Sequence, residues 1–597
     1  MCKVFSIIDF TEELLNFVII MKGLFRVVLI FALSTAAFVA RKSDAQTQAA
    51  NFYLAYDVSA ETLYFANELI GAEAFYNFGI YGQGATVANV ELGVYWPSHT
   101  VFTNTALGSV IVPEGASASS LYDFHATATA SIISGNNTSS ENNFEYYASF
   151  GIAPLSTLSA GAVARVINED GTAEVSDADF RYVYKYFFET EKSDVINSSW
   201  GPLSSTANHY YANYADALSA ANRLTSIVIA AGNEGEDESG NTVYNSVSSF
   251  AQSYNAITVG ALGNTPAYDT ISSYSSRSPS DFYNPVTGVT TANARAAVDI
   301  TAPGDNIVYA GYDSANPSET GGYYYGSGTS FAAPAVSGVV SLLKSASIQL
   351  EGDSSFVAAG WSENARDSRV IKAVILNSAT KPSNWNNAQA SADNVVFNVE
   401  ISQGVYYTQS FDNVIITKQG LDYTYGAGIL NADKALTQYV GAYTSGTAND
   451  VWVLDTVGFS ASNLYNLGAL NADTVLTMTL VWMAQSLISE SDETTITGQT
   501  FSDLTLELWM SVDGLFKPVA VSDADFNNVE HLSVTLAALA QYYIRVAFFD
   551  MAYGEQEDET YALAWSIAVP EAAGLAFAAA FAAFAFALFA RRRPPSR

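Results

Sequence analysis

The stretch Gly328-Thr329-Ser330-Phe331-Ala332-Ala333-Pro334 decides the fold of this chain, and it runs directly into the apolar pattern Ala335-Val-Ser-Gly-Val-Val-Ser-Leu-Leu343. The apolar residues recur at helical spacing, so the pattern predicts a buried helix that begins at Gly-Thr-Ser. The first backbone N–H groups of a helix have no partner within it and stabilise a developing negative charge. Ser330 therefore has the surroundings that a nucleophile needs, although serine is also an ordinary helix cap.

Two further segments carry the side chains that a nucleophilic serine requires. The hydroxyl needs a base within hydrogen-bond reach, and His125 stands in Asp123-Phe-His-Ala-Thr-Ala-Thr-Ala-Ser-Ile-Ile133, before a run of small residues. The acyl-transfer transition state also needs donors for its oxyanion, and Asn233 follows an apolar strand pattern in Ala230-Ala-Gly-Asn-Glu-Gly235. Each segment, taken alone, is also explained by a purely structural role: His125 as a residue of a helix start, and Asn233 as a residue of a turn.

Taken together, these segments resemble the subtilisin family of serine proteases. The Ser330 segment resembles the nucleophile helix of the family, the His125 segment its His-Gly-Thr helix start, and the Asn233 segment its oxyanion loop. The resemblance covers about 360 residues, and the motifs follow one another in the chain order of that family. It implies that Ser330 attacks the peptide carbonyl, that His125 transfers the proton, and that Asn233 and the Ser330 N–H bind the oxyanion.

A third segment, Val195-Ile-Asn-Ser-Ser-Trp200-Gly201, resembles the strand end that lines the primary specificity pocket of the same family. The resemblance implies that an extended substrate pairs with the backbone of Ser199, Trp200 and Gly201 and adds a strand to an exposed edge. The side chain of Trp200 fits the protein core equally well.

The acidic member of the site departs from the family pattern. The segment Val87-Ala-Asn-Val-Glu-Leu-Gly93 has Glu91 where the resemblance leads us to expect aspartate, and Leu92 replaces a hydroxyl residue. Glutamate keeps the charge but adds a methylene, which moves the carboxylate by about an ångström. By resemblance, Glu91 orients His125 and stabilises the imidazolium.

Two interpretations of this departure remain open at this point. In the first, the chain is a serine endopeptidase that works through an acyl-enzyme with Glu91 in the triad. In the second, it is a catalytically silent subtilisin-like protein that binds peptides or acts as a surface scaffold.

The hydrophobic patterns predict two folded regions. Between residues 71 and 440, short β-rich apolar runs alternate with helical patterns, which predicts an α/β region with a mainly parallel sheet and helices on both faces. From 450 to 568, runs of period two predict an antiparallel β-sandwich similar to a jelly roll, with His531 on its surface. Residues 46–70 are interpreted as a short lead-in.

Composition excludes several functions. The net charge of −34 argues against nucleic-acid binding, because phosphates are bound by Lys and Arg side chains. The substrates that the family resemblance implies are polypeptides. The single cysteine, Cys2, excludes a Cys-based zinc site in the folded regions, and the four histidines form no His-x-x-x-His pair. No metal or other cofactor is required on this interpretation. Structural calcium enters only through the family resemblance.

Both ends of the chain carry targeting patterns. A basic segment from Met21 followed by the apolar run Val27–Ala40 predicts a signal peptide within residues 1–45, with translation starting at Met21; a single anchor helix is the alternative. The segment 569–597 contains Pro570-Glu571, the apolar run Ala572–Ala590 and three arginines. It resembles the PEP-CTERM sorting signal of Gram-negative bacteria, which an exosortase recognises. A permanent single-pass anchor is the alternative.

These targeting patterns predict a protein that is secreted or associated with the cell envelope. They also predict contact with the membrane through the C-terminal helix, at least transiently, and with sorting machinery similar to an exosortase.

Overall fold

The computed structural model describes residues 65–137, 148–168, 171–263, 268–312, 321–351, 363–402, 405–441, 450–489 and 491–568. The predicted signal peptide and the C-terminal sorting tail lie outside these residues. Among the described residues, Glu73–Ile80 form one compact unit with a short helix, and the remainder form the other. Everything below concerns the larger unit.

In chain order the α-helices are α1 (Ala66–Leu69), α2 (Glu73–Tyr76), α3 (Phe124–Ser134), α4 (Asp177–Lys185), α5 (Tyr210–Ala221), α6 (Thr329–Leu350), α7 (Ser368–Asn377) and α8 (Ala432–Val440). The strands of the first region are β1 (Thr86–Glu91), β2 (Ala106–Ile111), β3 (Thr157–Ala162), β4 (Val195–Ser198), β5 (Ser226–Ala230), β6 (Ile257–Leu262), β7 (Ser280–Asn284), β8 (Val289–Arg295), β9 (Ile300–Pro303), β10 (Ile307–Ala310) and β11 (Tyr323–Gly326).

The later strands are β12 (Ala390–Ala392), β13 (Val395–Ser402), β14 (Val405–Phe411), β15 (Val414–Thr417), β16 (Asp450–Gly458), β17 (Ala461–Leu470), β18 (Val475–Val481), β19 (Gln485–Ile488), β20 (Ile496–Val512), β21 (Leu515–Ser522), β22 (Val529–Thr535), β23 (Ala540–Tyr553) and β24 (Asp558–Ala568).

The first region is built on a parallel sheet of seven strands in the order β2-β3-β1-β4-β5-β6-β9. Side chains alternate across β1: Ala88 and Val90 pack in the cluster that contains α4 and α5, whereas Asn89 bonds to α3. Helices therefore cover both faces of the sheet. The α/β architecture predicted from the sequence is confirmed.

Helix α6, which begins at the Gly-Thr-Ser triplet, is the central helix of this region. It is long and apolar enough to cross a membrane, but 94% of its apolar window is buried inside the protein. It packs against β4, β5, β6 and β9 and beside α3. The predicted buried helix is therefore confirmed as a core helix.

The second region is mostly antiparallel, as predicted. One sheet has the order β16-β24-β18-β22, and the other has the order β12-β15-β21-β20-β23-β17. Apolar residues from both sheets form one cluster, including the fully buried Trp482 and Trp565. Strands β12 and β15 precede residue 440 yet lie in the second of these sheets, which the sequence pattern did not predict. The domain boundaries themselves stay a prediction.

The prediction that His531 lies on the sandwich surface is wrong. Its side chain is fully buried in β22, and its Nδ1 lies 2.8 Å from the Thr479 hydroxyl. The Trp385 ring packs against it edge-on, and Asn387 donates a hydrogen bond to its backbone carbonyl. The segment that contains Trp385 and Asn387 therefore covers this face of the sheet, which the period-two pattern alone had predicted to be exposed.

Candidate active site

Glu91, His125 and Ser330 come together from three different elements. Glu91 ends strand β1, His125 is in the first turn of α3, and Ser330 is in the first turn of α6. The Asp123 carboxylate caps α3 by accepting the Ala126 N–H at 2.7 Å, which fixes the start of that helix. The carboxyl end of a parallel strand and the ends of its neighbouring helices meet at one edge of the sheet, where ligand sites commonly form.

The two oxygens of the Glu91 carboxylate have different contacts. Its Oε1 accepts the backbone N–H of Ser199 at 2.9 Å, and its Oε2 lies 3.3 Å from Nδ1 of His125. The side chain is only 1% exposed. A charge-assisted N–H···O bond is usually about 2.7–2.9 Å long, so the Oε2 contact is an ion pair without close hydrogen-bond alignment. The longer side chain thus still reaches His125 while one oxygen stays fixed on the backbone.

The pKa of His125 is raised above its ordinary value. Burial lowers the pKa, but the contact with Glu91 and its negative charge raise it, and Asp123 adds to this effect. Because 38% of the His125 side chain is exposed, burial lowers its pKa less than the contact with Glu91 and its negative charge raise it. The protonated imidazolium form of His125 is therefore stabilised. A general base takes this form when it accepts a proton.

The hydroxyl of Ser330 points away from the histidine. Its Oγ donates to the carbonyl oxygen of Ser199 at 3.1 Å, and among the described residues no hydrogen bond joins it to His125. The side chain is partly exposed in the cleft. Rotation about one side-chain bond is therefore needed before His125 can take its proton.

Asn233 is oriented by the residue that precedes the nucleophile. Its Oδ1 accepts both the backbone N–H of Thr329 at 3.0 Å and the Thr329 hydroxyl at 2.9 Å. An N–H can only donate, so this contact assigns the amide oxygen and turns the Nδ2 group outward. Nδ2 and the backbone N–H of Ser330 are then two donors at one helix start, which is the arrangement that an oxyanion needs.

A buried polar network behind the site was not predicted. Asn89 donates to the Ala126 carbonyl at 3.1 Å and accepts from Asn197 at 3.0 Å. Asn197 in turn accepts from the Ser337 hydroxyl at 2.8 Å and lies 3.5 Å from Glu91 Oε1. The network therefore ties the strand of the acid to the helices of the histidine and the serine. An asparagine inside the apolar pattern of β1 was the available signal.

Replacing Asn89 with alanine is expected to lower the free energy of unfolding by about 2 kcal/mol, because Asn197 and the Ala126 carbonyl lose a buried partner. Chemical denaturation monitored by circular dichroism measures this change. Asn104→Ala, at an exposed position, is the matched control. Equal stability of the two variants would contradict a structural role for the network.

A cleft of about 760 Å³ opens beside Ser330. Ser199, Trp200 and Gly201 all border it, as predicted, but Trp200 is only 9% exposed and packs against Tyr211 and Phe250 in an aromatic core. A Cβ on Gly201 would come within 2.5 Å of the Ser248 hydroxyl, so a larger residue here would displace that side chain. The indole of Trp200 is thus mainly a core side chain, while the backbone of the segment faces the cleft.

The described residues contain no group of three or more His, Cys, Asp or Glu side chains that could hold a metal ion. The side chains present in these ranges therefore do not fit a carboxylate-rich calcium site. Calcium binding, which only the family resemblance implies, stays a prediction.

Comparison with known proteins agrees with this geometry. The profile of the subtilase family matches residues 99–428, which is more than half of the chain. The chain therefore belongs to the subtilase family. It is a subtilisin-like serine peptidase that acts on polypeptides.

Solved structures that are similar to this chain include the prenylagaramide maturation protease PagA. That chain is 20% identical, with a TM-score of 0.41, over 63% of this chain and 99% of its own length. A mutant of the protease domain of PatA is also 20% identical, with a TM-score of 0.41, over 61% of this chain and 99% of its own length. No curated protein matches the chain.

Proposed function

We propose that the protein is a secreted or envelope-anchored serine endopeptidase that works through an acyl-enzyme, with Glu91 in the place of the usual aspartate. The convergence of Glu91, His125 and Ser330 beside one open cleft carries this proposal. Asn233 and the Ser330 N–H supply the oxyanion donors, and the backbone of Ser199–Gly201 supplies the edge for an extended substrate.

The first half of the reaction forms the acyl-enzyme. The Ser330 hydroxyl turns from the Ser199 carbonyl to Nε2 of His125, which takes its proton as Oγ attacks the peptide carbonyl. The negative oxygen of the tetrahedral intermediate accepts hydrogen bonds from Asn233 Nδ2 and the Ser330 N–H. His125 then donates its proton to the leaving amine, and the C–N bond breaks.

In the second half, water repeats the sequence. His125 takes a proton from water, the hydroxide attacks the ester carbonyl, and the proton returns to Ser330 Oγ as the acid leaves. Throughout, Glu91 keeps the Nδ1–H tautomer facing itself and stabilises the imidazolium. The hydrogen bond from the Ser199 N–H to Oε1 of Glu91 keeps the longer side chain in this orientation.

The location of the protein is part of the proposal and is supported by sequence patterns. The apolar run Val27–Ala40 would direct export, and the run Ala572–Ala590 with its arginines would hold the chain at the membrane until sorting. Sorting machinery similar to an exosortase would be the partner of this tail. Mass spectrometry of both ends of the exported protein tests this part.

Labelling by a diphenyl phosphonate that reacts with activated serines tests the catalytic assignment. We expect one adduct on Ser330, found by mass spectrometry of the tryptic peptide, and none in Ser330→Ala. Failure of the folded protein to react with any phosphonate of a panel spanning basic, acidic and apolar side chains would reject the enzyme. That result would favour the catalytically silent, peptide-binding alternative. The hydrogen bond from the Ser330 hydroxyl to the Ser199 carbonyl is also compatible with that alternative.

Replacing Asn233 with alanine is expected to lower kcat by about 10²–10³-fold with little change in KM, because the lost donor acts mainly in the transition state. Steady-state hydrolysis of a peptide substrate measures both constants. Asn104→Ala serves as the exposed control. A large rise in KM at unchanged kcat would assign Asn233 to substrate binding instead.

A further inference from the structure

An exposed aromatic surface lies next to His125. It consists of Phe124, Tyr309, Tyr324 and Phe331, which we call the aromatic shelf. Phe124 immediately precedes the histidine, and Phe331 immediately follows the nucleophilic serine. Phe124 and Tyr324 are each 37% exposed, while Tyr309 and Phe331 are buried beneath them. Two rings of the shelf are thus presented at the surface on a fixed aromatic base.

The four rings are continuous with one another and with the histidine. Phe331 stacks on Tyr309 with ring centroids 4.6 Å apart, and the Phe331 ring lies 6.1 Å from the His125 ring. Phe124 packs edge-on against Tyr309 at 5.8 Å and against Tyr324 at 5.0 Å. Edge-to-face and stacked pairs at these separations are attractive beyond simple burial, so the rings stabilise one another in this arrangement.

Two glycines make room for these rings. A Cβ on Gly311 would overlap the rings of Phe124 and Tyr324, and a Cβ on Gly326 would lie 2.6 Å from the Tyr309 hydroxyl. The hairpin of β10 and β11 therefore carries small residues where the rings pass closest to its backbone. The position of the shelf is set by the fold of this hairpin and of two helix starts.

The shelf lies beside His125 but outside the cleft that opens next to Ser330. None of its four rings lines the 760 Å³ cleft, which contains Ser199–Gly201 and Asn233. The two ends of a bound substrate leave the scissile bond in opposite directions. If the acyl end occupies that cleft, the amine end runs past His125, which must protonate it, and over Phe331 and Phe124.

We infer that the aromatic shelf binds the side chain of the first residue on the amine side of the scissile bond and selects a large apolar or aromatic residue there. The inference rests on the proposed function. An aromatic side chain that packs on Phe124 and Tyr324 removes apolar surface from water and gains ring contacts, whereas glycine gains neither.

Competition between amines and water for the acyl-enzyme tests this inference. An N-acyl amino acid p-nitrophenyl ester that the protein hydrolyses forms the acyl-enzyme, and phenylalanine amide or glycine amide is then added. The amine nitrogen forms a C–N bond as the Ser330 ester C–O bond breaks, and its proton returns to Oγ through His125. We expect phenylalanine amide to capture the acyl group about tenfold better than glycine amide.

Phe124→Ala and Tyr324→Ala are each expected to reduce this preference to about threefold or less. Tyr182→Ala, which removes an exposed tyrosine of α4, is the matched control and should leave the preference unchanged. The ratio is internal to one acyl-enzyme, so a variant with reduced total activity remains informative. If an alanine variant fails to fold, Phe124→Leu and Tyr324→Leu replace it, and the wild-type ratio stands as an independent measurement.

Equal capture of both amides by the wild-type protein would overturn the inference, as would a preference that survives both shelf substitutions. These outcomes differ from failure of the proposed function itself. In that case the wild-type protein releases p-nitrophenol from N-acyl amino acid p-nitrophenyl esters no faster than Ser330→Ala does, and no acyl-enzyme forms.

Discussion

Replacing Ser330 with alanine is expected to lower kcat by about 10⁶-fold, the largest effect of any single substitution in this chain. In subtilisin-like sites the nucleophile and its base act as a unit, and removal of the nucleophile leaves only the contribution of the oxyanion donors and of substrate binding. Hydrolysis of a fluorogenic peptide library, followed for hours at high enzyme concentration, has the range needed to measure this loss.

Ser327→Ala is the matched control for this substitution. Ser327 is an exposed serine in the same segment, and its hydroxyl accepts only the Asn306 N–H at 3.3 Å. The control should keep full activity. If Ser330→Ala retained more than about one part in a thousand of the activity while folding normally by circular dichroism, another residue would be the nucleophile.

Replacing Glu91 with glutamine is expected to lower kcat by about 10⁴-fold and to shift the acidic limb of the pH profile to lower pH. The amide cannot hold the productive histidine tautomer or stabilise the imidazolium, which accounts for the loss of rate. The negative charge of Glu91 raises the pKa of His125. Without that charge, His125 loses its proton at lower pH, and the neutral base is available there.

The pH dependence of kcat/KM between pH 5 and 9 measures both effects, because this ratio reports the pKa of the base in the free enzyme. Glu236→Gln, an exposed glutamate, is the control and should leave the limb in place. A limb that stays at the wild-type pH in Glu91→Gln would show that the charge of Glu91 does not act on His125.

Glu91→Asp separates the two contacts of the carboxylate. Aspartate is shorter by one methylene, about 1.5 Å, so from this strand it cannot both accept the Ser199 N–H and lie beside His125. We therefore expect a loss of about tenfold or more in kcat, even though aspartate carries the same charge. Activity equal to that of the wild type would mean that the strand shifts to restore both contacts.

The positions of the candidate site residues on their helices and strands could be predicted from short segments, because helix starts and strand ends have local patterns. The Gly-Thr-Ser triplet before an apolar helical run places Ser330 at a helix start, and in the segment Val87-Ala-Asn-Val-Glu-Leu-Gly93 the acidic residue follows a short β-rich run. These features depend on neighbouring residues, and the structure reproduces their positions. The family match to residues 99–428 bears out the resemblance to the subtilisin family and includes the His125, Asn233 and Ser330 segments, whereas Glu91 precedes the matched residues and its role stays a prediction.

Other features depend on residues far apart in the chain. Asn89 and Asn197 are 108 residues apart, and Asn197 and Ser337 are 140 apart, yet they form one buried network. The sequence alone was compatible with Trp200 in the core or in the specificity pocket. Its contacts with Tyr211 and Phe250, which come later in the chain, place it in the core. His531 is buried because a segment of the first region folds over its strand.

By itself, then, the sequence predicted the parallel α/β region and the mostly antiparallel region, which the structure confirms, and the resemblance carried by its motifs supplied the candidates for nucleophile, base, acid and oxyanion amide. The reason is that periodicity and helix-start chemistry are local. Only the tertiary structure decided that Glu91 reaches His125 while one oxygen rests on the Ser199 N–H, and that four aromatic rings meet beside the histidine. Those facts require atoms from separate strands and helices to meet within a few ångströms, which no local pattern specifies.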